Sequence, residues 1–155
     1  MLKILKLNES PEILTSISLE VTDEEIASPE FQKLLDDMMA TAINLNALGL
    51  AASQIGVSKR VFIARAEDMS DNFVVFVNPE FLMKKDRVKH YGEACLSLPE
   101  KGFEVSRYKS VVIKAQDRMG VPFKMKSKTK IQAFIFQHEM DHLDGTLLDS
   151  RGVEL

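Results

Sequence analysis

Residues 137–145 read Gln-His-Glu-Met-Asp-His-Leu-Asp-Gly and decide how the carboxyl-terminal part of the chain folds. On an α-helix, His138 and His142 lie one turn apart on the same face, and Glu139 lies beside them. Two imidazoles at this spacing can bind one divalent metal ion while the neighbouring carboxylate moves a proton. The stretch therefore predicts a helix with a metal site for hydrolysis, but it does not indicate the substrate.

The helix predicted around this stretch runs from about Thr129 to Asp144, with Gly145 as its stop. Apolar residues recur upstream at helical spacing, and the same buried stripe continues to His138 and His142. These apolar residues are Ile131, Phe134 and Ile135. A histidine on a buried stripe needs a polar partner, and one shared metal ion would serve both rings. A core histidine satisfied by other groups is the alternative.

The third metal ligand distinguishes this chain from metalloproteases that share the two-histidine motif. The metzincin pattern would place that ligand at Leu148, and the nearest acid, Asp149, is out of step by one. A thermolysin-like site needs a glutamate on a later helix, and only Glu154 follows. We therefore look upstream to Cys95, the only cysteine of the chain. One thiolate and two imidazoles leave a fourth position for water, although a lone cysteine is more often a core residue.

Two further segments precede the helix motif. Residues 49–57 read Gly-Leu-Ala-Ala-Ser-Gln-Ile-Gly-Val, and residues 92–99 read Gly-Glu-Ala-Cys-Leu-Ser-Leu-Pro. In this order and spacing, the three segments closely resemble the signature motifs of the peptide deformylase family, and the resemblance extends over nearly the whole chain. It implies a metal-dependent hydrolase that removes the formyl group from the N-terminal formyl-methionine of nascent polypeptides and releases formate.

The resemblance also implies which residues carry the chemistry. Cys95, His138 and His142 would hold one divalent metal ion, and Glu139 would act as base and then as acid. The family favours Fe²⁺ as the native ion, while Zn²⁺, Ni²⁺ and Co²⁺ suit the same ligands.

Five more positions match residues that support the reaction in the family. Gln54 and the backbone N–H of Leu96 would stabilise the oxyanion, and Gly49 would lend main-chain groups to bind the peptide as an added strand. Glu93 and Arg107 would form a charged pair that braces the cysteine loop.

A methionine pocket is expected beside the metal. Its apolar lining would come from Leu48, Tyr91, Ile131, Phe134 and Ile135. Simple core packing is the rival interpretation for each of them. The chain departs from the common family pattern at Ser53, Ala94 and Gly102, and Ala94 is tolerated only if that backbone does not need a positive φ.

Composition limits the remaining possibilities. With 155 residues and 45% hydrophobic content, we expect one domain over residues 1–155, which the resemblance makes a catalytic metallohydrolase domain. A net charge of −3 with interspersed signs argues against nucleic-acid or anionic-membrane binding, and no apolar run approaches a membrane span. We expect a cytoplasmic monomer, and the resemblance implies formyl-methionyl nascent peptides as its partners, in a bacterial cell or in the host of a virus.

The chain ends thirteen residues past His142, whereas longer bacterial members of the family continue into a C-terminal helix. We therefore expect a short form, of the kind that viruses also encode, and docking to the ribosome stays an open question.

Elsewhere the pattern predicts an α+β fold, with mostly antiparallel strands around the metal-binding helix. A helix capped by Ser28 would end near residues 46–49. Its buried residues would be Phe31, Leu34, Leu35, Met38, Met39 and Ile43. Residues 61–64 and 73–77 predict paired strands with a turn around 68–72. Residues 111–115 and 121–125 predict a hairpin with its turn at 117–120.

Two other functions fit part of the sequence. A metallopeptidase would use the same metal site to cut peptide amide bonds, and a non-catalytic homologue would only bind formylated peptides or a structural metal. Glu139 and Gln54 argue against the second of these, because binding alone requires neither side chain.

Overall fold

The computed structural model describes residues 1–67 and 70–155 as five helices, a 3₁₀ turn and one sheet. The helices are α1 (Pro11–Leu14), α2 (Asp23–Ala27), α3 (Pro29–Asn44), α4 (Lys130–Leu143) and α5 (Leu148–Arg151). The strands are β1 (Gly49–Ala51), β2 (Val61–Arg65), β3 (Phe73–Cys95), β4 (Leu98–Gln116), β5 (Pro122–Lys126) and β6 (Val153–Glu154). Among the described residues, no helix is long and apolar enough to cross a membrane.

Helix α3 begins where the sequence predicts it and ends at Asn44, slightly before the predicted end near residues 46–49. The Ser28 hydroxyl accepts a hydrogen bond from the Phe31 N–H at 3.2 Å, and Pro29 occupies the first turn. The predicted side chains that are buried or half-buried are Phe31, Leu34, Leu35, Met38 and Met39. The prediction for Ile43 is wrong, since this side chain is 42% exposed. Ala42 takes the core position, and each helical residue is rotated by about 100° from the next.

The sheet is antiparallel, with the order β1-β2-β3-β4-β5 and β6 paired to β4. Val61 on β2 lies opposite Val77 on β3, which confirms the first predicted strand pair. The turn expected around residues 68–72 includes residues 68 and 69, which lie outside the described residues. Ile113 on β4 lies opposite Met125 on β5, which confirms the second hairpin.

Strands β3 and β4 extend far beyond the predicted segments and form a long ribbon. Their pairing shifts at four irregularities, two of which lie between His90 and Cys95. A bulge leaves a residue unpaired and bends the strand, so the pattern of alternating exposure changes there. The ribbon ends in a tight turn in which Cys95 lies opposite Leu98. This turn carries the cysteine toward helix α4.

Helix α4 packs across the sheet with one apolar face. The side chains on that face are Ala133, Phe136, Met140 and Leu143, which share a core with Phe62 and Phe76. The Thr129 hydroxyl caps the helix by accepting the Gln132 N–H, and Gly145 follows it with a φ of 71°. The metal-binding helix and the α+β class are therefore as predicted.

The buried Gln137 side chain fixes α4 against the middle of β4. Its Oε1 accepts the Tyr108 N–H and its Nε2 donates to the Tyr108 carbonyl, each at 2.8 Å. The amide thus pairs with the backbone of β4 as a neighbouring strand would, and it holds the next residue of the helix, His138, at a fixed height above the sheet.

Candidate active site

The structure brings Cys95, His138 and His142 together. Helix α4 supplies both imidazoles from one face, and the end of β3 supplies the thiol. Cys95 Sγ lies 3.3 Å from His142 Nε2, which lies 3.2 Å from His138 Nε2. One ligand atom from each residue lies within 4.8 Å of the others. The upstream cysteine and the helix motif therefore meet as the sequence predicts.

This donor set fits a metal cation. His142 Nε2 approaches a sulfur and a second ring nitrogen at once, and one proton cannot satisfy both contacts. Ligands about 2.0–2.3 Å from a tetrahedral zinc ion lie roughly 3.3–3.7 Å apart, close to the separations seen here. Burial keeps the pKa of His142 well below its ordinary value, so this ring is a neutral donor. The cluster has the composition of a three-ligand catalytic site.

The Glu139 carboxylate lies beside this cluster in an almost wholly buried position. Among the described residues, Glu139 Oε2 has no hydrogen-bond partner. Burial raises the pKa of Glu139 to about 7, because the charged form loses its hydration. A Cβ at Gly49 would lie 2.9 Å from Glu139 Oε1, so a larger residue at this position would displace the carboxyl from where it lies now. A carboxyl that titrates near neutral pH can both accept and return a proton.

A buried ion-pair network supports His138 at Nδ1, the ring nitrogen that does not face His142. Glu93 Oε2 lies 3.0 Å from His138 Nδ1 and accepts a 2.5 Å bond from Arg107 Nη2. Arg107 Nη1 donates to Asp141 at 2.6 Å, and Arg151 also pairs with Asp141. Burial disfavours the charge on Glu93, but the bonds to His138 and Arg107 outweigh it and hold the pKa of Glu93 well below its usual range. The network fixes which nitrogen of His138 faces the cluster.

Gln54 lies next to the Cys95 thiol, in the 3₁₀ turn Ala52–Ile55. Its Oε1 accepts the Ala51 N–H at 3.0 Å, which orients its Nε2 toward Cys95 Sγ at 3.7 Å and Ser97 Oγ at 3.3 Å. Leu96 follows Cys95 in the turn and lines the same cleft. Both predicted oxyanion donors therefore lie next to the ligand cluster.

One cleft of about 650 Å³ is lined by Gln54, Cys95, Leu96, His138 and Glu139. Its apolar walls include four of the predicted pocket residues, namely Leu48, Ile131, Phe134 and Ile135. The prediction for Tyr91 is corrected by the structure: its side chain is 65% exposed and it is not among the described residues that line the cleft. The bulge after His90 changes the alternation of β3, so that His90 points inward and Tyr91 points to solvent.

Sequence reasoning did not identify His90 and Asp141 as site residues. His90 lines the cleft, stacks on Phe134 and contacts Glu93, whereas Asp141 binds Arg107 from α4. No local signal identified His90, because on a regular strand it would face the opposite side from Glu93, three residues later. Asp141 lies inside the quoted motif, three residues after His138, which places it on the same side of the helix.

The three departures from the family pattern have different surroundings. Ala94 lines the cleft and is not among the residues with positive φ, so the condition for tolerating its methyl group is met. Ser53 is buried, with its hydroxyl 3.5 Å from the His142 carbonyl. A Cβ at Gly102 would meet only the Gly92 Cα, at 4.0 Å, so this position is open to a side chain.

Comparison with known proteins agrees with this geometry. The family model described as polypeptide deformylase matches residues 1–153. Peptide deformylase 2 of Xanthomonas campestris pv. campestris is 40% identical over 134 residues, which is 86% of this chain and 78% of that protein.

Two solved structures of a class I type b peptide deformylase from Acinetobacter baumannii are also similar. The Met-Ala-Ser-bound crystal structure has a TM-score of 0.87 and 34% identity, and it covers 97% of this chain and 98% of that one. The actinonin-bound structure has a TM-score of 0.85 and 36% identity, with 97% of both chains covered. A match over almost the entire length, together with the Cys-His-His cluster, leaves one conclusion: the chain belongs to the peptide deformylase family of metal-dependent hydrolases.

Proposed function

We propose that the protein removes the formyl group from the N-terminal formyl-methionine of nascent polypeptides, with Cys95, His138 and His142 as metal ligands and Glu139 as the proton carrier. The observation that carries the proposal is the position of Glu139, a buried carboxyl whose Oε2 has no hydrogen-bond partner among the described residues, beside a Cys-His-His cluster at a cleft with apolar walls. A bound cation supplies Lewis acidity, which lowers the pKa of a water molecule and polarises the formyl oxygen.

The side chains of this chain then handle the protons and the charge. Glu139 takes a proton from water as the water oxygen adds to the formyl carbon. Negative charge collects on the formyl oxygen, where Gln54 Nε2 and the Leu96 N–H are the nearby donors. Glu139 returns the proton to the departing nitrogen as the C–N bond breaks. The products are formate and a peptide with a free methionine amine.

Substrate binding is proposed along strand β1. This strand lies at the edge of the sheet, and its residue Gly49, together with Ala47 and Leu48, lines the cleft. An edge strand has unpaired backbone groups that can bind an extended peptide as a further strand. The bound Met-Ala-Ser in the Acinetobacter baumannii relative supports a cleft of this family as a place for a methionine-led peptide. The methionine side chain would then lie against Ile131, Phe134 and Ile135.

We further propose Fe²⁺ as the native ion, residues 1–155 as one catalytic unit, and a monomer acting in the cytoplasm on peptides that emerge from the ribosome. The buried thiol of Cys95 supports a reducing compartment, because oxidation would remove a ligand. The metal assignment is tested by anaerobic purification, elemental analysis and activity per metal. Activity that follows zinc rather than iron content would contradict it.

The experiment for the function compares two peptides. Metal-loaded protein is incubated with formyl-Met-Ala-Ser and with unformylated Met-Ala-Ser, and both reactions are followed by formate detection and mass spectrometry. We expect formate and intact Met-Ala-Ser from the first peptide and no change in the second. Cleavage of the Met-Ala bond would support a metallopeptidase, and no reaction with either peptide would support a binding homologue.

A further inference from the structure

His90 contributes a polar ring to the wall of the cleft, next to the apolar side chains of Ile131, Phe134 and Ile135. Its imidazole stacks on Phe134 with ring centroids 4.3 Å apart and planes inclined by 24°. Its Nδ1 lies 3.0 Å from Glu93 Oε1, and its side chain is 25% exposed. The ring is therefore held from two sides while one edge faces the cleft.

We propose that His90 is a specificity-determining residue that forms, with Phe134, the wall against which the side chain of the first substrate residue packs. The inference rests on the proposed function, since it assigns a role within the same cleft. The bulge between His90 and Glu93 is what brings this ring inward, and Gly92, with a φ of 78°, lies within it. Tyr91, the neighbouring ring, points to solvent instead.

The stacked pair fixes the shape of the pocket. Phe134 is nearly buried on α4, and the imidazole covers one of its ring faces. A thioether packs favourably at the edge of aromatic rings, so a wall of two stacked rings suits a methionine side chain. Removing the His90 ring would leave a gap beside Phe134, and a bound side chain would lose contacts along that wall.

The bond to Glu93 sets the orientation of the His90 ring without being needed for the metal site. Glu93 keeps two hydrogen bonds from Arg107, at 3.1 Å from Nε and 2.5 Å from Nη2, and its contact with His138. The ion-pair network that supports His138 therefore survives a change at His90. A change there acts on side-chain binding, and through KM more than through kcat.

The test uses two His90 variants and one matched control. His90→Phe keeps a ring that can stack on Phe134 but loses the polar contact, and His90→Gln keeps a polar group but loses the ring. Tyr91→Leu changes the adjacent aromatic residue, which faces solvent. For each metal-loaded protein, kcat and KM are measured with formyl-Met-Ala and formyl-Ala-Ala, and metal content is checked.

For the wild type, the ratio of the two kcat/KM values reports how strongly the pocket favours methionine. We expect this ratio to fall about three- to tenfold in His90→Gln, mainly through a higher KM for formyl-Met-Ala. We expect it to stay within about twofold in His90→Phe and in Tyr91→Leu.

An unchanged ratio in a folded, metal-loaded His90→Gln protein would overturn the assignment of His90. A wild type that releases no formate from either peptide would instead overturn the proposed function itself.

Discussion

The two faces of helix α4 bury different kinds of side chain, apolar on one face and polar on the other. The sheet side presents Ala133, Phe136 and Leu143, each wholly buried among apolar neighbours. The cleft side presents Glu139 and His142, which are equally buried but carry Glu139 Oε2 and His142 Nδ1 without partners among the described residues. The first arrangement lowers the free energy of the folded chain through burial of apolar surface.

The second arrangement costs free energy, because a buried polar atom without a partner loses its hydration. It persists because the sheet side of the helix holds the cleft side in place. The residues that stabilise the fold and those proposed for the chemistry thus lie about half a turn apart on one helix. Substitutions on one side should change the unfolding free energy, and substitutions on the other should change activity.

The largest effect is expected from loss of a metal ligand on the cleft side. Cys95→Ala removes the thiolate and leaves two imidazoles, which are too few for a catalytic site. We expect formate release to fall to background and the purified protein to hold little metal, as measured by elemental analysis. A metal-replete and active Cys95→Ala protein would show that the ligand set is wrong.

A smaller loss of metal affinity or activity should follow from weakening the ion-pair network that supports His138. Glu93→Gln removes the charge that binds both His138 and Arg107, and we expect a loss of about 10- to 100-fold in metal affinity or kcat/KM. Metal affinity is measured by competition with a chelator.

The matched control for Glu93→Gln is Glu104→Gln. Glu104 pairs with Lys89 on the same ribbon, but that ion pair lies near the surface, with a Lys89 side chain 68% exposed. We expect metal affinity to stay at the wild-type value in this control. Equal losses of metal affinity in both variants would mean that Glu93 acts only through its negative charge and not through its bonds to His138 and Arg107.

The sheet side should show the reverse pattern. Phe136→Ala creates a cavity next to Phe62 and Phe76, and we expect unfolding free energy to fall by about 3–5 kcal/mol. Activity per folded, metal-loaded molecule should stay within about threefold of the wild type. Denaturant unfolding and steady-state kinetics measure the two quantities.

Ile131→Ala is the paired variant on the cleft side, since Ile131 lies on the same helix but is 42% exposed. We expect little change in stability and a higher KM for formyl-Met-Ala. If Phe136→Ala raised KM while Ile131→Ala destabilised the fold, the division between the two faces would be refuted.

The smallest effect is a pH dependence of stability in the metal-free protein. Burial raises the pKa of Glu139 from 4.5 to about 7, so the stability contributed by its protonated form is complete below pH 4.5 and is lost as the pH rises through 7. Glu139→Gln cannot titrate. The stability of the wild type relative to this variant should therefore decrease between pH 4.5 and pH 7, as followed by denaturant unfolding. A constant difference would show that Glu139 is not desolvated.

The sequence predicted those parts of the molecule that depend on local pattern. The cap at Ser28, the first strand pair and the helix that carries His138 and His142 follow from short-range rules. The meeting of Cys95 with the two histidines was also predictable, because Cys95 was the only thiol and the helix motif lacked a later partner.

The parts that depend on register between distant segments were not predictable in this way. A bulge in β3 exchanges the directions of His90 and Tyr91, and neither residue type signals it. The contact of Arg107 with Asp141 joins residues 34 positions apart, and only packing of α4 on β4 brings them together. The misplacement of Ile43 is of the same kind, since hydrophobicity alone does not decide which side of a helix end meets the core.

The most direct measurement is kcat of metal-loaded Glu139→Gln with formyl-Met-Ala. The amide has nearly the shape of the carboxyl, so it should fit beside Gly49 and leave the metal content at the wild-type level. We predict a fall in kcat of about 10²- to 10⁴-fold, the usual range for a lost general base. A fully metal-loaded variant that releases formate at the wild-type rate would contradict the assignment of Glu139 as the proton carrier.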